Sequence, residues 1–180
     1  MRKKIEQEME IPEGIICTYD SGVLKCQKGS VELEKELYFP GINIQTAGKK
    51  IKISCGRANK NHHKIIMSFL AHIRNVFHGL NEKFVYELEA VNVHFPMAIK
   101  SEGNKVSISN FFGEKVPRYA IIMPNVEVEI KGQKITITSH DKEAAGQTAA
   151  NLEKATRVKG RDKRIFQDGI YIISKPRREA

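Results

Sequence analysis

The sequence predicts an α+β fold built from two tandem copies of one unit, each a small antiparallel β-sheet packed against one α-helix. Three observations predict it. The 180-residue chain matches itself without gaps when shifted by 84 positions. Each copy carries apolar residues alternating with polar ones on both sides of a glycine turn, the pattern of a hairpin with one buried face. Each hairpin is followed by apolar residues at three- and four-residue spacing, the pattern of an amphipathic helix.

The repeat rests on eight identities. Pro12 falls on Pro96, Ile15 on Ile99, Gly29 on Gly113 and Pro40 on Pro124. Gly48 falls on Gly132, Lys50 on Lys134, Ile51 on Ile135 and Ile53 on Ile137. Apolar pairs accompany them: Leu24/Ile108, Leu37/Ile121, Phe39/Met123, Ile42/Val126 and Ile44/Val128. A unit of this length exceeds a solenoid repeat and suffices for a small domain. The predicted domains are therefore 1–83 and 84–180.

In the first copy, strands are expected around 23–26 and 30–33. Ile42 and Ile44 then alternate with polar neighbours, Ala47-Gly48-Lys49-Lys50 turns the chain, and Ile51, Ile53 and Cys55 alternate on the return. The helix follows, with Ile65, Phe69, Ile73, Val76, Phe77 and Leu80 on one stripe and Gly79 near its end. In the second copy, Val91, Val93 and Phe95 predict an opening strand, and another is expected at 106–109. Val126, Val128 and Ile130 lead into the Gly132 turn, and Ile135 and Ile137 return. A helix of smaller residues follows, with Ala145, Thr148, Ala149, Leu152 and Ala155 inward. Asp141 and Glu143 are placed in its first turn, Lys154 and Arg157 in its last, as the helix dipole favours. Neither copy shows the βαβ alternation of a parallel nucleotide-binding sheet.

Composition excludes several function classes. Hydrophobic residues make up 41% and charged residues 28%, which fits a globular chain. No apolar run approaches the roughly 20 residues of a membrane span, and the charged N-terminal stretch MRKKIEQEMEIPEG lacks a signal-peptide core. A cytosolic protein is expected. The three cysteines, Cys17, Cys26 and Cys55, are odd in number and widely spaced, so they suggest reduced thiols rather than a disulfide framework or a zinc site. His62, His63, His72 and His78 all fall on the first helix, without HxxxH or HExxH spacing. There is no GxSxG, GxGxxG or GxxxxGK motif. Glu6, Glu8, Glu10, Glu32, Glu34 and Glu36 have the two-residue spacing of solvent-facing strand positions. No catalytic residue, metal ligand, cofactor or small-molecule substrate is predicted, and the protein is read as not an enzyme.

The functional signal lies at the end of the chain. Residues 157–178 read RVKGRDKRIFQDGIYIISKPRR. They hold Arg157, Lys159, Arg161, Lys163, Arg164, Lys175, Arg177 and Arg178 against only Asp162 and Asp168, a net +6 within a chain total of +9. Such a cluster suits an array of fixed anions, of which nucleic-acid phosphate is the commonest. Ile165, Phe166, Ile170, Tyr171, Ile172 and Ile173 are interleaved with it, which a freely solvated tail would not retain. Arg161 and Arg164 can fork onto phosphates with paired hydrogen bonds. Phe166 either stacks on a base or anchors the loop in the core, and anchoring is favoured. Asp168-Gly169 is a turn signal, expected to return 170–173 to the sheet as a strand. Pro176 then releases Arg177 and Arg178. The cations adjoin strand-like alternation rather than a basic amphipathic helix, which argues against a membrane surface.

A second stretch, NFFGEKVPRY at 110–119, sets two aromatics against Gly113, itself part of the repeat. It reads either as a strand-connecting loop anchored by Phe or as a contact in which Lys115, Arg118 and Tyr119 meet RNA backbone or a neighbouring protein.

At these two stretches the chain resembles the L-six family of large ribosomal subunit proteins, in its archaeal and eukaryotic branch. The C-terminal signature of that branch is met at Val158, Arg161, Arg164, Phe166, Asp168, Gly169, Ile170, Tyr171, Ile172 and Lys175, with Lys154 where the motif has glutamine. The loop at 110–118 is similar to the branch's NFLGEK-type motif, with Phe112 where leucine is usual. Length and repeat extend the resemblance over essentially the whole chain. It implies a non-catalytic component of the large subunit with two similar sheet-and-helix domains. The implied partners are large-subunit (23S-type) rRNA, neighbouring ribosomal proteins and, nearby, translation factors. The C-terminal domain would dock on rRNA close to the sarcin–ricin loop and the factor-binding region. The residues expected to carry that contact are the eight cations named above with Phe166, Lys115 and Arg118. The rival reading is an RNA-binding module acting outside the ribosome.

Overall fold

The computed structural model describes residues 3–162 and 164–176, and the chain divides into two compact units, Met1–Glu82 and Lys83–Ala180. In unit 1, β1 (Lys3–Glu10), β5 (Asn43–Ala47) and β6 (Lys50–Ala58) form an antiparallel sheet in the order β1-β6-β5. β2 (Ile16–Asp20), β3 (Val23–Lys28) and β4 (Val31–Glu36) form a second meander in chain order. Each hairpin register follows from period-two burial. Ile44 pairs with Ile53 and Thr46 with Ile51, so the apolar members share one face.

The helix α1 (Lys60–Asn81) packs on β1, β3, β4 and β6, strands from both sheets. One helix therefore closes a core that neither sheet closes alone. Ile51 and Ile53 from one sheet, Leu24 and Cys26 from the other, and Ile66 and Ile73 from the helix meet in that core. Asn59 caps α1, its side-chain oxygen accepting from the His62 backbone N–H at 2.9 Å. The buried stripe is centred on Ile66, Leu70, Ile73, Phe77 and Leu80, while Ile65 and Phe69 are only half-buried at its edge. The stripe is thus rotated from the one expected, because α1 faces two sheets rather than one.

Unit 2 repeats the plan. β8 (Ala98–Glu102), β9 (Lys105–Ser109) and β10 (Arg118–Ile121) form one antiparallel sheet. β7 (Phe84–Val91), β11 (Glu127–Lys131) and β12 (Lys134–Ser139) form the other, joined by β13 (Gly169–Ser174) in the order β11-β12-β7-β13. The helix α2 (Lys142–Ala155) packs on β7, β10, β12 and β13. Shifting β5 by the 84-residue repeat lands it on β11, residue for residue. The two hairpin turns hold Gly48 and Gly132 at φ +58° and +63°, a left-handed conformation that costs glycine nothing. The expected α+β architecture is present, with two small sheets rather than one in each unit.

Three local expectations are corrected. Residues 92–95 are not strand. β7 ends at Val91, and its buried positions are Phe84, Tyr86, Leu88 and Ala90, the opposite phase to the one expected. The backbone N–H groups that follow are held by Asp168, described below, and so join no ladder. Asp141 is the N-cap of α2 rather than a first-turn residue, accepting from the Glu143 N–H at 2.9 Å. Arg157 lies beyond the helix end at Ala155.

β13 is the element by which unit 2 departs from unit 1. It adds to the free edge of β7, pairing Ile170 with Ala90 and Ile172 with Leu88, and Ile170 is buried in the unit 2 core. The C-terminal segment thus returns to the sheet as expected. Ile137→Ala, at a fully buried β12 position, is expected to destabilise the protein by about 3 kcal/mol. Asp141→Ala is expected to cost about 1 kcal/mol through its cap. Urea unfolding followed by circular dichroism measures both.

Candidate nucleic-acid interface

The segment between α2 and β13 is a loop pinned at its base and open at its tip. At the base, the Thr156 hydroxyl accepts from the Ile170 N–H at 2.9 Å, a buried bond joining the loop's two ends. Val158 is buried beside it. At the tip, the Asp162 carbonyl accepts from the N–H groups of Ile165 and Phe166 at 3.2 and 2.9 Å. The Asp162 carboxylate also accepts from the Arg164 N–H at 2.9 Å. Asp162 thus holds the turn backbone through its carbonyl and Oδ1.

Asp168 holds the second anchor. It is 1% exposed. Its carboxylate accepts from the backbone N–H groups of Val93 and His94, each at 3.1 Å, and from the His94 ring Nδ1 at 3.0 Å. The Phe95 backbone N–H lies close enough to favour the charged carboxylate as well. Burial pushes the carboxyl pKa up, but the His94 ring and the three backbone N–H groups outweigh it and hold the pKa below the usual carboxylate value. The residue expected to make a turn is instead an acceptor that ties loop 92–97 to the start of β13.

That tie brings three separated stretches together. The rings of His94 and Phe166 lie 5.3 Å apart, and those of Phe112 and Phe166 5.8 Å. Phe111 is buried under Phe112, with centroids 4.6 Å apart. The Arg161 guanidinium sits 4.9 Å from the centroids of both Phe112 and Phe166, a cation–π arrangement. Phe112 adopts φ +51°, between Asn110 at +60° and Gly113 at +76°. A left-handed phenylalanine costs on the order of 1–3 kcal/mol and persists only where its surroundings over-determine it. Here the Asn110 amide donates to the Pro96 carbonyl at 2.9 Å, and Phe111 is locked in the core.

Arg118 is committed within unit 2. It forks onto the Glu114 carboxylate at 2.7 and 2.6 Å, donates to the Ala155 carbonyl at 2.9 Å and lies 4.3 Å from the Phe111 ring centroid. The Arg118 bond holds the Glu114 carboxyl below the usual range. Lys115 and Tyr119 are exposed.

Arg157, Lys159, Arg161, Arg164 and Lys175 are exposed, and among the described residues none of them enters an ion pair. Lys163, Arg177 and Arg178 lie outside the described residues. Phe166 is half-buried, anchored on one side by His94 and Phe112. Sequence reasoning missed His94 and Phe112. Nothing in the local pattern marks His94, and the sequence shows Phe112 as one of two loop aromatics, at the position where the motif usually has leucine, with no sign of its contact to Arg161. Among the described residues no group of three His, Cys, Asp or Glu side chains is placed to hold a metal ion.

The ribosomal protein L6 family model matches residues 95–169, a span that contains both the 110–119 stretch and the loop up to Gly169. Relatives match over nearly the whole chain. The large ribosomal subunit protein uL6 of Methanococcus vannielii is 42% identical over 171 residues, covering 95% of this chain and 94% of the relative. The chain belongs to the ribosomal protein L6 family. The L6 relative from Methanothrix thermoacetophila is 40% identical over 175 residues, 97% of this chain and 99% of its own length. Both relatives are ribosomal proteins rather than enzymes.

Asp168→Asn keeps the side chain's shape but turns an NH2 group toward backbone donors. It is expected to lower stability by about 2 kcal/mol at neutral pH. A carboxyl whose folded pKa is depressed contributes its stability above its unfolded pKa of about 3.9 and loses it as pH falls through the folded value. The gap between parent and variant in urea melts should therefore narrow below about pH 4. A gap independent of pH would mean the carboxylate charge is not what holds the loop.

Proposed function

We propose that this L6-family chain is a structural constituent of the large ribosomal subunit, acting at the ribosome in the cytoplasm, and that unit 2 binds large-subunit rRNA. The contact is made mainly by the loop 157–168 and Lys175, with Lys163, Arg177 and Arg178 adding charge and Lys115 contributing from the neighbouring loop. Its site, as the family resemblance implies, is close to the sarcin–ricin loop and the translation-factor binding region, among neighbouring ribosomal proteins.

One observation carries the reading: among the described residues the exposed cations Arg157, Lys159, Arg161, Arg164 and Lys175 enter no ion pair. Four unpaired cations on the loop, with Lys175 beyond β13, are stable against self-repulsion when phosphate supplies the counter-charge. Ordering matters as much as charge. The Arg161 guanidinium lies 4.9 Å from the ring centroids of both Phe112 and Phe166, and these cation–π contacts hold it in place on the exposed loop. Binding then costs little side-chain entropy. Arg118 serves differently: it orients the loop by bonding the carbonyl end of α2 and Glu114.

Binding of the protein to deproteinised large-subunit rRNA should weaken steeply with salt. Five or six phosphate contacts give a log–log slope of about −4 to −5, and a slope near zero would remove phosphate neutralisation as its basis. Arg161→Ala plus Arg164→Ala is expected to weaken that binding and leave the melting temperature nearly unchanged. Equal loss of both properties would make these arginines structural. Sedimentation tests the ribosomal assignment: the protein should stay with the large subunit through moderate salt, whereas a module acting elsewhere should wash off.

A further inference from the structure

Net charge conceals a second cationic region in unit 1. From residue 37 to residue 81 the chain contains no Asp or Glu, against seven basic residues: Lys49, Lys50, Lys52, Arg57, Lys60, Lys64 and Arg74. The acids of unit 1 fall almost entirely before this stretch, and the strand pairing of β1 with β6 brings only some of them to it. Lys50 and Lys52 lie 3.4–3.9 Å from Glu8 and Glu10. The cations of α1 receive no such partner.

On α1, Lys60, Lys64, Met67, Ala71 and Arg74 follow one another at four- and three-residue steps, and all five are exposed. They form one solvent stripe, opposite the buried stripe of Ile66, Leu70, Ile73 and Phe77. It runs about 21 Å from Lys60 to Arg74 at the helical rise. Lys60 and Lys64 are like charges one turn apart, an arrangement that destabilises a free helix by a few tenths of a kcal/mol. Among the described residues neither lysine nor Arg74 enters an ion pair. A merely solvated helix face mixes both signs. This one carries a single sign over four turns, with small or unbranched side chains between the charges that let a partner approach closely.

We infer that the Lys60–Lys64–Arg74 stripe of α1 is a second RNA-phosphate-binding face, so that the L6 chain grips rRNA through both units. This rests on the proposed rRNA partner of unit 2. Charge complementarity selects the occupant: three cations spaced along a line match a run of backbone phosphates.

The test uses the full chain with Lys60→Gln, Lys64→Gln and Arg74→Gln together, glutamine being a comparable helix former. Binding to deproteinised large-subunit rRNA is measured across a salt series beside the Arg161→Ala/Arg164→Ala variant. The triple glutamine variant is expected to melt like the parent, to bind about tenfold more weakly, and to show a salt slope shallower by about 2 to 3. Lys60→Arg with Lys64→Arg and Arg74→Lys should restore both affinity and slope. Unchanged affinity and slope, with the unit 2 arginine variant still impaired, would overturn this inference and leave the proposed function standing. If neither variant affects binding, the proposed function fails with it. Unchanged RNA binding but lost retention on large subunits would assign the stripe to an acidic protein neighbour and likewise overturn it.

Discussion

Unit 2 depends on one buried carboxylate. Asp168 gathers the backbone donors of Val93 and His94 and the His94 ring, and the aromatic cluster of the candidate interface is built beside that tie. It ends β7 by diverting the N–H groups that would have continued the ladder. It fixes the entry to β13, so the loop from α2 must span a set distance. It also carries His94 to Phe166, which brings the loop of residues 110–119 under the tip. A buried carboxylate satisfied by this many donors is a strong constraint, because losing it leaves those N–H groups without their acceptor.

The cluster above that tie shows how a small protein presents arginine rigidly. An isolated surface arginine loses much rotamer freedom when it binds. Arg161 has surrendered that freedom in advance to Phe112 and Phe166. The left-handed Phe112 contributes a strained backbone, held by Asn110, by the buried Phe111 and by Arg118 beneath. Strain of this kind is kept where geometry has a use, and here it places the Phe112 ring against the Arg161 guanidinium.

Comparison of the two units separates scaffold from function. Both place one helix across two small antiparallel sheets, and the equivalent strands β5 and β11 coincide under the repeat. Unit 2 alone has a fourth strand in its larger sheet, supplied by the segment after α2. That addition covers the outer edge of β7 and converts a basic tail into a loop tethered at both ends. Unit 1 places its unpaired cations on the exposed face of a helix instead. The same scaffold thus offers two ways to project positive charge without disturbing its core.

The sequence by itself determined the class of fold, the duplication, the hairpins and helices, and the concentration of charge after α2. These are local or periodic properties: alternation names a buried strand face, three- and four-residue spacing names a helix, and a repeat is visible by translation. It did not determine the second sheet in each unit, the phase of β7, the exact face of α1 or the tasks of Asp168, His94, Phe112 and Arg118. Each of these is settled by a partner distant in the chain. Asp168 reads as a turn residue until the N–H groups 74 and 75 positions away are seen to converge on it. The bond that Arg118 donates to the Ala155 carbonyl, 37 positions on, is likewise invisible until the chain is folded. Hydrogen bonds across such separations leave no periodic trace in a sequence, so only the tertiary structure could decide them.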